Sequence, residues 1–581
     1  MFAYFSQRRS GLPTERAAVM SPLWFVFWAL SLSLSWLLPV HFPPWSTLPA
    51  DAWLALMAAL GGLALIARTR ASADWQGLSC LVAALVLLPW LQFAFGLLPY
   101  AGQAWISSAY LLGFLLALLI GSHWETAAPR QLADGLFLAI TIASTASVGL
   151  QLYTWLGLSE GGFLGLFSLG QTGGRHYANL GQPNQLATLL VWGLMGCFWS
   201  YLRQQLSGVI AIFLSCFLLL GLAMTQSRTG LLVVTCIVLA VWLWRHLWPT
   251  RQLPWFATGL YVTLLFYAPL LQWFDSALLL GQDAIRLRIN EQGELRLGAW
   301  QLFIQAILER PVFGYGWTET AAAQIEVAAR MPGSGGIFSH SHNLFLDLML
   351  WCGIPIGCLI ICFLLHWFWS RCRAVRDSED AVLMLLLCAV AIHALVEFPL
   401  QYAYFLLPAG LVMGIVNVRL GMPVVCKMPS WSFAALWLAG VLALGVTLRD
   451  YARVDASYSL LRLEQSPVGQ GRSPFGGPPD VWVLTQLREW IKISRQKARA
   501  GMDKHELDEM ETMAQFYPSL NAAYRLATAF ALNNQPDEAR KWLERLCKFN
   551  TEKECQLAQK DWAADSQHDL RIAGIQWRAE R

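Results

Sequence analysis

Charge is what this sequence has least of. Asp, Glu, Lys and Arg make up 13% of the 581 residues, where a soluble protein of that size carries about a quarter. An ordinary water-soluble globular fold is excluded. The net charge of +4 is too small to argue for nucleic acid as a partner. There is no P-loop, no dinucleotide fingerprint and no triad spacing, so nucleotide-driven chemistry has no foothold. The N-terminus carries Arg8, Arg9 and Arg16 ahead of a long apolar run but lacks a small-residue cleavage site, and reads as a retained first span. All cysteines but Cys547 and Cys555 are scattered through apolar runs or their connections without metal-ligand spacing, and read as small apolar side chains.

What is present is apolar sequence. Hydrophobic residues make up 56% of the chain and mean hydropathy is +0.45. Runs of about 18 residues or more, each able to cross a bilayer as a helix, recur through the first 450 positions. Thirteen spans are expected, at about 19–41, 52–67, 78–99, 104–121, 131–155, 184–202, 207–224, 228–248, 255–273, 343–369, 380–397, 400–420 and 431–448. The 29 tryptophans suit interfacial belts. The fold class is therefore all-α and polytopic, with membrane lipids as the surroundings. With a cytoplasmic N-terminus, the inside loops hold most arginines, among them Arg68, Arg70, Arg130, Arg203, Arg245, Arg251, Arg371, Arg373, Arg376 and Arg419. The short outside loops hold only Arg175 and Arg228. The loops 156–183 and 274–342 and everything after about 449 then lie outside.

Within the long loop 274–342, Trp300, Phe303, Ile304, Ile307 and Leu308 follow helical spacing, which predicts an amphipathic helix over 297–309 on the membrane. Pro311 and Gly314-Tyr315-Gly316 end it, and Pro332-Gly333-Ser334-Gly335-Gly336 gives a flexible approach to two histidines. The domains expected are a membrane domain over 1–448, a linker over 449–480 rich in Pro, Gly and Ser toward its end, and a helical domain over 481–581. In the last, 522–532, a turn at Asn533-Asn534-Gln535-Pro536-Asp537 and 538–546 resemble a tetratricopeptide helix pair. Cys547 and Cys555 can form a disulfide if the compartment oxidises.

The candidates for chemistry gather at the outer face. Ser339-His340-Ser341-His342-Asn343 runs straight into an apolar helix, placing two imidazoles where a group titrating near neutrality can move protons. His342, nearer the span, is the expected reactive one; the plain alternative is two solvated loop histidines. A zinc site lacks a third ligand at a convincing spacing, so no metal is expected. Arg228, in Thr225-Gln226-Ser227-Arg228-Thr229-Gly230, sits where positive charge is disfavoured, either as a snorkelling helix-end residue or as a fork for phosphate. The long loop carries Arg286, Arg288, Arg296, Arg310 and Arg330, of which Arg296 stands out one turn before Trp300. Gln182, Asn184 and Gln185 offer amides to hydroxylated ligands, or simply cap a proline-started helix. Glu397, in Glu397-Phe398-Pro399-Leu400-Gln401-Tyr402-Ala403-Tyr404, is costly so near a membrane unless paired.

Three pieces in order resemble the Wzy_C superfamily of O-antigen ligases, O-antigen polymerases and bacterial O-oligosaccharyltransferases. They are Ser227-Arg228-Thr229-Gly230, Arg296 with Trp300 and Pro311-Val312-Phe313-Gly314-Tyr315-Gly316, and His342-Asn343-Leu344-Phe345-Leu346 leading to Gly353 and Gly357. Asn179-Leu180-Gly181-Gln182-Pro183-Asn184-Gln185 and the segment from Glu397 to Phe405 look like motifs of its PglL-type protein O-oligosaccharyltransferases. The resemblance implies en bloc transfer of an oligosaccharide from undecaprenyl pyrophosphate to Ser/Thr hydroxyls of an acceptor protein such as a pilin. That transfer takes place on the periplasmic side of a Gram-negative inner membrane, without cofactor. It casts Arg228 and Arg296 as pyrophosphate ligands and His342 as the group that activates or orients the acceptor hydroxyl. Gln182, Tyr402 or Tyr404, His340, Asn343 and Arg288 are further candidates for substrate contact. The sibling activities, an O-antigen ligase acting on lipid A core or a polymerase, stay open. A transporter of the same lipid would concentrate charge at the bilayer midplane and repeat its halves, and the sequence does neither.

Overall fold

The computed structural model describes residues 19–39, 41–68, 73–158, 167, 171–172, 175–278, 293–331, 333–466 and 476–577. In hydrocarbon each backbone N–H and C=O must be satisfied within its own segment, so the apolar runs become helices. They are α1 (Pro22–Ser33), α2 (Leu48–Arg68), α3 (Gly77–Ala94), α4 (Ala101–Ala127), α5 (Gln131–Trp155), α6 (Pro183–Leu202), α7 (Gly208–Met224), α8 (Arg228–Leu243) and α9 (Leu253–Leu278). After α10 (Gly293–Glu309) and α11 (Thr320–Val327) come α12 (Leu344–Ala374), α13 (Ser378–Ala394), α14 (Ala403–Arg419) and α15 (Ser430–Gln465). A helix thus lies at each of the thirteen expected segments. Eight are long and apolar enough to cross a membrane, and the segments Pro22–Trp36, Gly208–Met224, Arg228–Leu243 and Ala403–Arg419 are shorter apolar helices.

Helices in lipid associate through close packing and inter-helix hydrogen bonds. α4 and α14 meet at Gly121 and Gly414, where a Cβ on either would strike the partner's backbone carbonyl. The Ser122 hydroxyl donates to the Gly414 carbonyl at 3.1 Å. On α5 the Ser144 hydroxyl donates to the Leu189 carbonyl of α6 at 2.9 Å, and the Trp192 indole of α6 donates to the Leu386 carbonyl of α13 at 3.0 Å.

α12 is broken at Gly353, whose φ of 77° is left-handed. The break frees carbonyls, and the turn after α10 takes them: Tyr315 N–H donates to Leu350 at 2.8 Å and Gly316 N–H to Trp351 at 3.1 Å. In return Ile354 N–H donates to the Pro311 carbonyl at 2.7 Å. The long loop is thereby pinned into the bundle. The amphipathic helix expected over 297–309 is α10; Phe303 and Ile307 pack on Leu350 and Trp351, while Ile304 and Leu308 stay exposed.

Among the described residues, two antiparallel ribbons depart from the all-helical expectation. β1 (Ala73–Gln76) pairs with β4 (Val424–Met428), and β2 (Gln171–Thr172) with β3 (Arg175–His176). Strands this short carry too few residues for an alternating pattern to show.

The tail forms α16 (Thr485–Arg495), α17 (Lys504–Phe516), α18 (Leu520–Leu532), α19 (Pro536–Lys548), α20 (Glu552–Asp565) and α21 (Leu570–Ala573). α18 and α19 are the expected helix pair, packed through Leu526, Phe530, Trp542 and Leu543. Ile325 of α11 belongs to the same core, with Tyr100 and Ile337 against it. The Asp450 carboxylate of α15 accepts from Trp482, Val483 and Leu484 N–H at 2.7, 2.6 and 3.2 Å, tying the tail to the bundle. Cys547 and Cys555 are joined in a disulfide.

Candidate active site

Five chain segments bring polar termini to one end of the bundle. At α6, proline leads the first turn and the Gln182 side chain caps it, accepting from Gln185 N–H at 2.8 Å. At α8 the Ser227 hydroxyl caps by accepting from Gly230 N–H at 2.9 Å. At α12 the Asn343 side chain accepts from Phe345 and Leu346 N–H at 2.9 and 3.3 Å. The Asn343 amide donates to the Leu395 carbonyl at 3.1 Å, tying α12 to the end of α13. α10 brings Arg296, and the α13–α14 connection brings Glu397.

The buried Glu397 carboxylate is the hub. His342 Nδ1 lies 2.7 Å from Oε2, Asn184 Nδ2 donates to Oε1 at 2.8 Å, and Arg296 pairs with the same Oε1. Asn184 cannot turn its amide round, because the carboxylate only accepts and must face Nδ2, while Oδ1 accepts from the Ser227 hydroxyl at 2.7 Å. Burial alone would push the Glu397 carboxyl up. The His342 hydrogen bond and the Arg296 charge override it, and its pKa lies below the ordinary value. A carboxylate accepts and cannot donate, so it selects the Nδ1–H tautomer of His342 and leaves a lone pair on Nε2.

His342 holds a left-handed φ of 59°, a conformation that costs a non-glycine residue about 1 kcal/mol or more. Its neighbours impose it. Ser341 N–H donates to Asp347 at 2.8 Å, and the Trp300 indole donates to the Ser341 carbonyl at 3.1 Å.

The other expected residues fall into place unevenly. His340 lies tilted against Phe398 at 4.7 Å between ring centres, and His342 meets the same ring at 5.1 Å. Its Nδ1 is buried without a hydrogen bond, and burial, then His342, pushes its pKa down to about 3, so it is neutral. Tyr404 is sealed, its hydroxyl donating to Gln185 Oε1 at 2.7 Å. Tyr402 is partly exposed, stacked on Tyr404 at 5.2 Å, so of the two it is the one a substrate can reach. Gln182 and Asn343 are occupied as helix caps. Arg228 is exposed, opens α8 beside the Ser227–Asn184 link, and has no ion pair among the described residues. Arg288 lies outside the described residues. Sequence reasoning noted Glu397 and Asn184 but left both out of the site. The signal was there: a carboxylate between two apolar runs must be paired, and the cations able to pair with it were already in hand.

Beside this hub a cavity of about 620 Å³ opens, with His340, Phe398, Gln401 and Tyr402 at its mouth. It is lined by α12 residues on both sides of the Gly353 break, from Leu344 to Phe368. Most of its lining is aliphatic or aromatic.

Comparison with known proteins adds three family matches. Residues 211–362 match the O-antigen ligase family, 177–199 a protein glycosylation ligase family, and 381–563 the C-terminal part of a virulence-factor membrane-bound polymerase family. With the helical bundle, these make the protein a membrane-embedded transferase. The chain is similar to the general O-oligosaccharyltransferase of Acinetobacter baylyi, 31% identical over 555 residues that cover 91% of this chain and 94% of that protein. It is also similar to the ComP-specific O-oligosaccharyltransferase of the same species, 34% identical over 253 residues, covering 42% of this chain and 44% of that protein. The chain belongs to the bacterial O-oligosaccharyltransferase family.

Proposed function

We propose that the protein transfers an oligosaccharide from undecaprenyl pyrophosphate to Ser/Thr hydroxyls of a periplasmic acceptor protein such as a pilin. All thirteen apolar helices cross the inner membrane, and the His342 end and the tail face the periplasm. The observation that carries the reading is the His342–Glu397–Arg296 hub beside a largely apolar cavity. An isoprenoid tail suits the cavity, and the pyrophosphate falls to Arg296, paired with Glu397, and to Arg228, beside the Ser227–Asn184 link. Arg296 commits one nitrogen to Glu397, which leaves further donors of its fork for phosphate oxygens.

In the reaction the acceptor oxygen attacks the anomeric carbon of the first sugar. The bond from that carbon to the phosphate oxygen breaks, and the electron pair leaves with the pyrophosphate. The hydroxyl proton passes to His342 Nε2, while Glu397 steadies the imidazolium through Nδ1–H. Pyrophosphate is a good leaving group, so what it needs is charge stabilisation by guanidinium, not a proton. A carboxylate, an imidazole and two guanidiniums suffice for both halves.

The test is purified protein with lipid-linked oligosaccharide and a candidate pilin, read by the mass of the acceptor, alongside a deletion strain scored for both glycoprotein and lipopolysaccharide. Loss of protein glycans alone supports the reading. Loss of O-antigen from lipopolysaccharide with protein glycans intact would assign the chain to the lipid A core ligases.

A further inference from the structure

We propose that the C-terminal helical domain is a positioning element of the active face, which holds the histidine loop through the disulfide-closed turn between α19 and α20. The contact is specific. Ser334 N–H donates to the Lys548 carbonyl at 2.8 Å, and a Cβ on Gly333 would lie 3.3 Å from the same oxygen. Lys548 sits within the ring closed by Cys547 and Cys555. From Ser334 the chain of contacts runs on to the histidine. The buried Gln324 amide donates to the Ser334 hydroxyl and the Gly336 carbonyl, both at 2.8 Å, and Gln324 Oε1 accepts from Phe338 N–H at 2.8 Å. The Phe338 ring then meets the His342 ring at 6.0 Å.

The sequence explains why such a clamp is needed. Gly333, Gly335 and Gly336 make the loop costly to order, since glycine loses more backbone freedom on fixing than any other residue. His342 at its far end holds a left-handed φ, which persists only while its surroundings over-determine it. A disulfide that limits the disorder of the docking turn supplies one fixed end. With that end loose, His342 relaxes and its hydrogen bond to Glu397 is lost for part of the time.

The proposal rests on His342 being the reacting group, so His342→Ala is assayed in parallel to report on that reading separately. The experiment uses full-length protein in nanodiscs with undecaprenyl-pyrophosphate-linked oligosaccharide and a pilin. The contact is loosened from the tail side by Cys547→Ser with Cys555→Ser, and from the loop side by Gly333→Val. Each should lower kcat roughly tenfold or more, as misplacement of a catalytic group does, with donor KM within about twofold, and should speed amide exchange over 338–343. Combined, they should be no worse than the stronger one, because both break one contact. Unchanged turnover and loop exchange in a disulfide-free protein overturns the proposal. So do faster exchange at unchanged turnover, and additive losses. If the double-serine protein does not fold, the folded wild type is reduced with a phosphine and scored on the same readouts, with the same outcomes deciding.

Discussion

At the end of the bundle away from His342, Arg419 is shared among Asp380, Glu379 and Glu125 at 2.6, 3.1 and 3.4 Å, and Arg130 and Arg203 reach Glu379 and Asp134 at 2.7 and 3.2 Å. Within that network each guanidinium has a carboxylate partner, and the charges lock helix ends together. At the His342 end one carboxylate, Glu397, serves Arg296 and His342 together, and Arg228 has no acidic partner among the described residues. The same residue types thus do different work. A saturated network is a fastener, whereas cations in excess at a membrane face are poised for an anion that the protein does not itself supply.

The sharpest way to break this contrast is at the imidazole. His342→Ala should cut transfer by about 10² or more, the range for loss of a general base, while the protein still inserts and folds; normal turnover would end its assigned role. Next come the guanidiniums at opposite ends. Arg228→Ala should raise donor KM and lower kcat with little change in thermal midpoint, and Arg228→Lys should recover only part, since an ammonium lacks the fork. Arg419→Ala should do the reverse, destabilising by about 3 kcal/mol, as a broken buried ion pair does, with turnover of the folded fraction intact. Full activity of Arg228→Lys together with Arg296→Lys would reduce phosphate clamping to a matter of net charge.

The contrast was half legible in the sequence. Span positions follow from apolar runs of membrane length, and loop arginines marked Arg228 as out of place before any coordinate. His342 could be chosen because it is the last residue before the α12 cap. What the sequence hid was partnership. Arg296, Asn184 and Glu397 lie up to 213 positions apart, and no periodicity links residues joined only by three-dimensional packing. Tyr402 and Tyr404 could not be separated by spacing; burial separates them. The break of α12 was hidden for a similar reason. Gly353 and Pro355 hint at it, but only the loop returning to Leu350 and Trp351 makes it stable.

A smaller effect is expected inside the hub. Asn184→Ala removes a neutral donor from Glu397 and leaves the Ser227 hydroxyl without its acceptor. It should cost about 1–2 kcal/mol of stability and lower kcat modestly. Asn184→Asp should be worse, because it sets a second carboxylate against Glu397. Equal losses in both variants would mean that packing, not the amide's direction, is what matters at this position.

The test that touches turnover least compares Glu397 with a second buried carboxylate at the same end. Glu319, just before α11, accepts from the neutral Gln103 amide and has no ion pair among the described residues. Burial therefore wins there, and its pKa is pushed up to about 7 from 4.5. Folding takes up a proton at Glu319 between those two values. Its contribution must then weaken as pH rises through that window, by about 3 kcal/mol at most. Glu397 has the opposite sign: a depressed pKa gives stability that is present above the ordinary glutamate range and is lost only as pH falls below it. In thermal unfolding of the full chain from pH 5 to pH 8, Glu319→Gln should therefore gain stability relative to wild type as pH rises, and Glu397→Gln should not. A pH profile in Glu319→Gln that runs parallel to wild type would deny that Glu319 titrates there and that a cationic partner is what separates the two carboxylates.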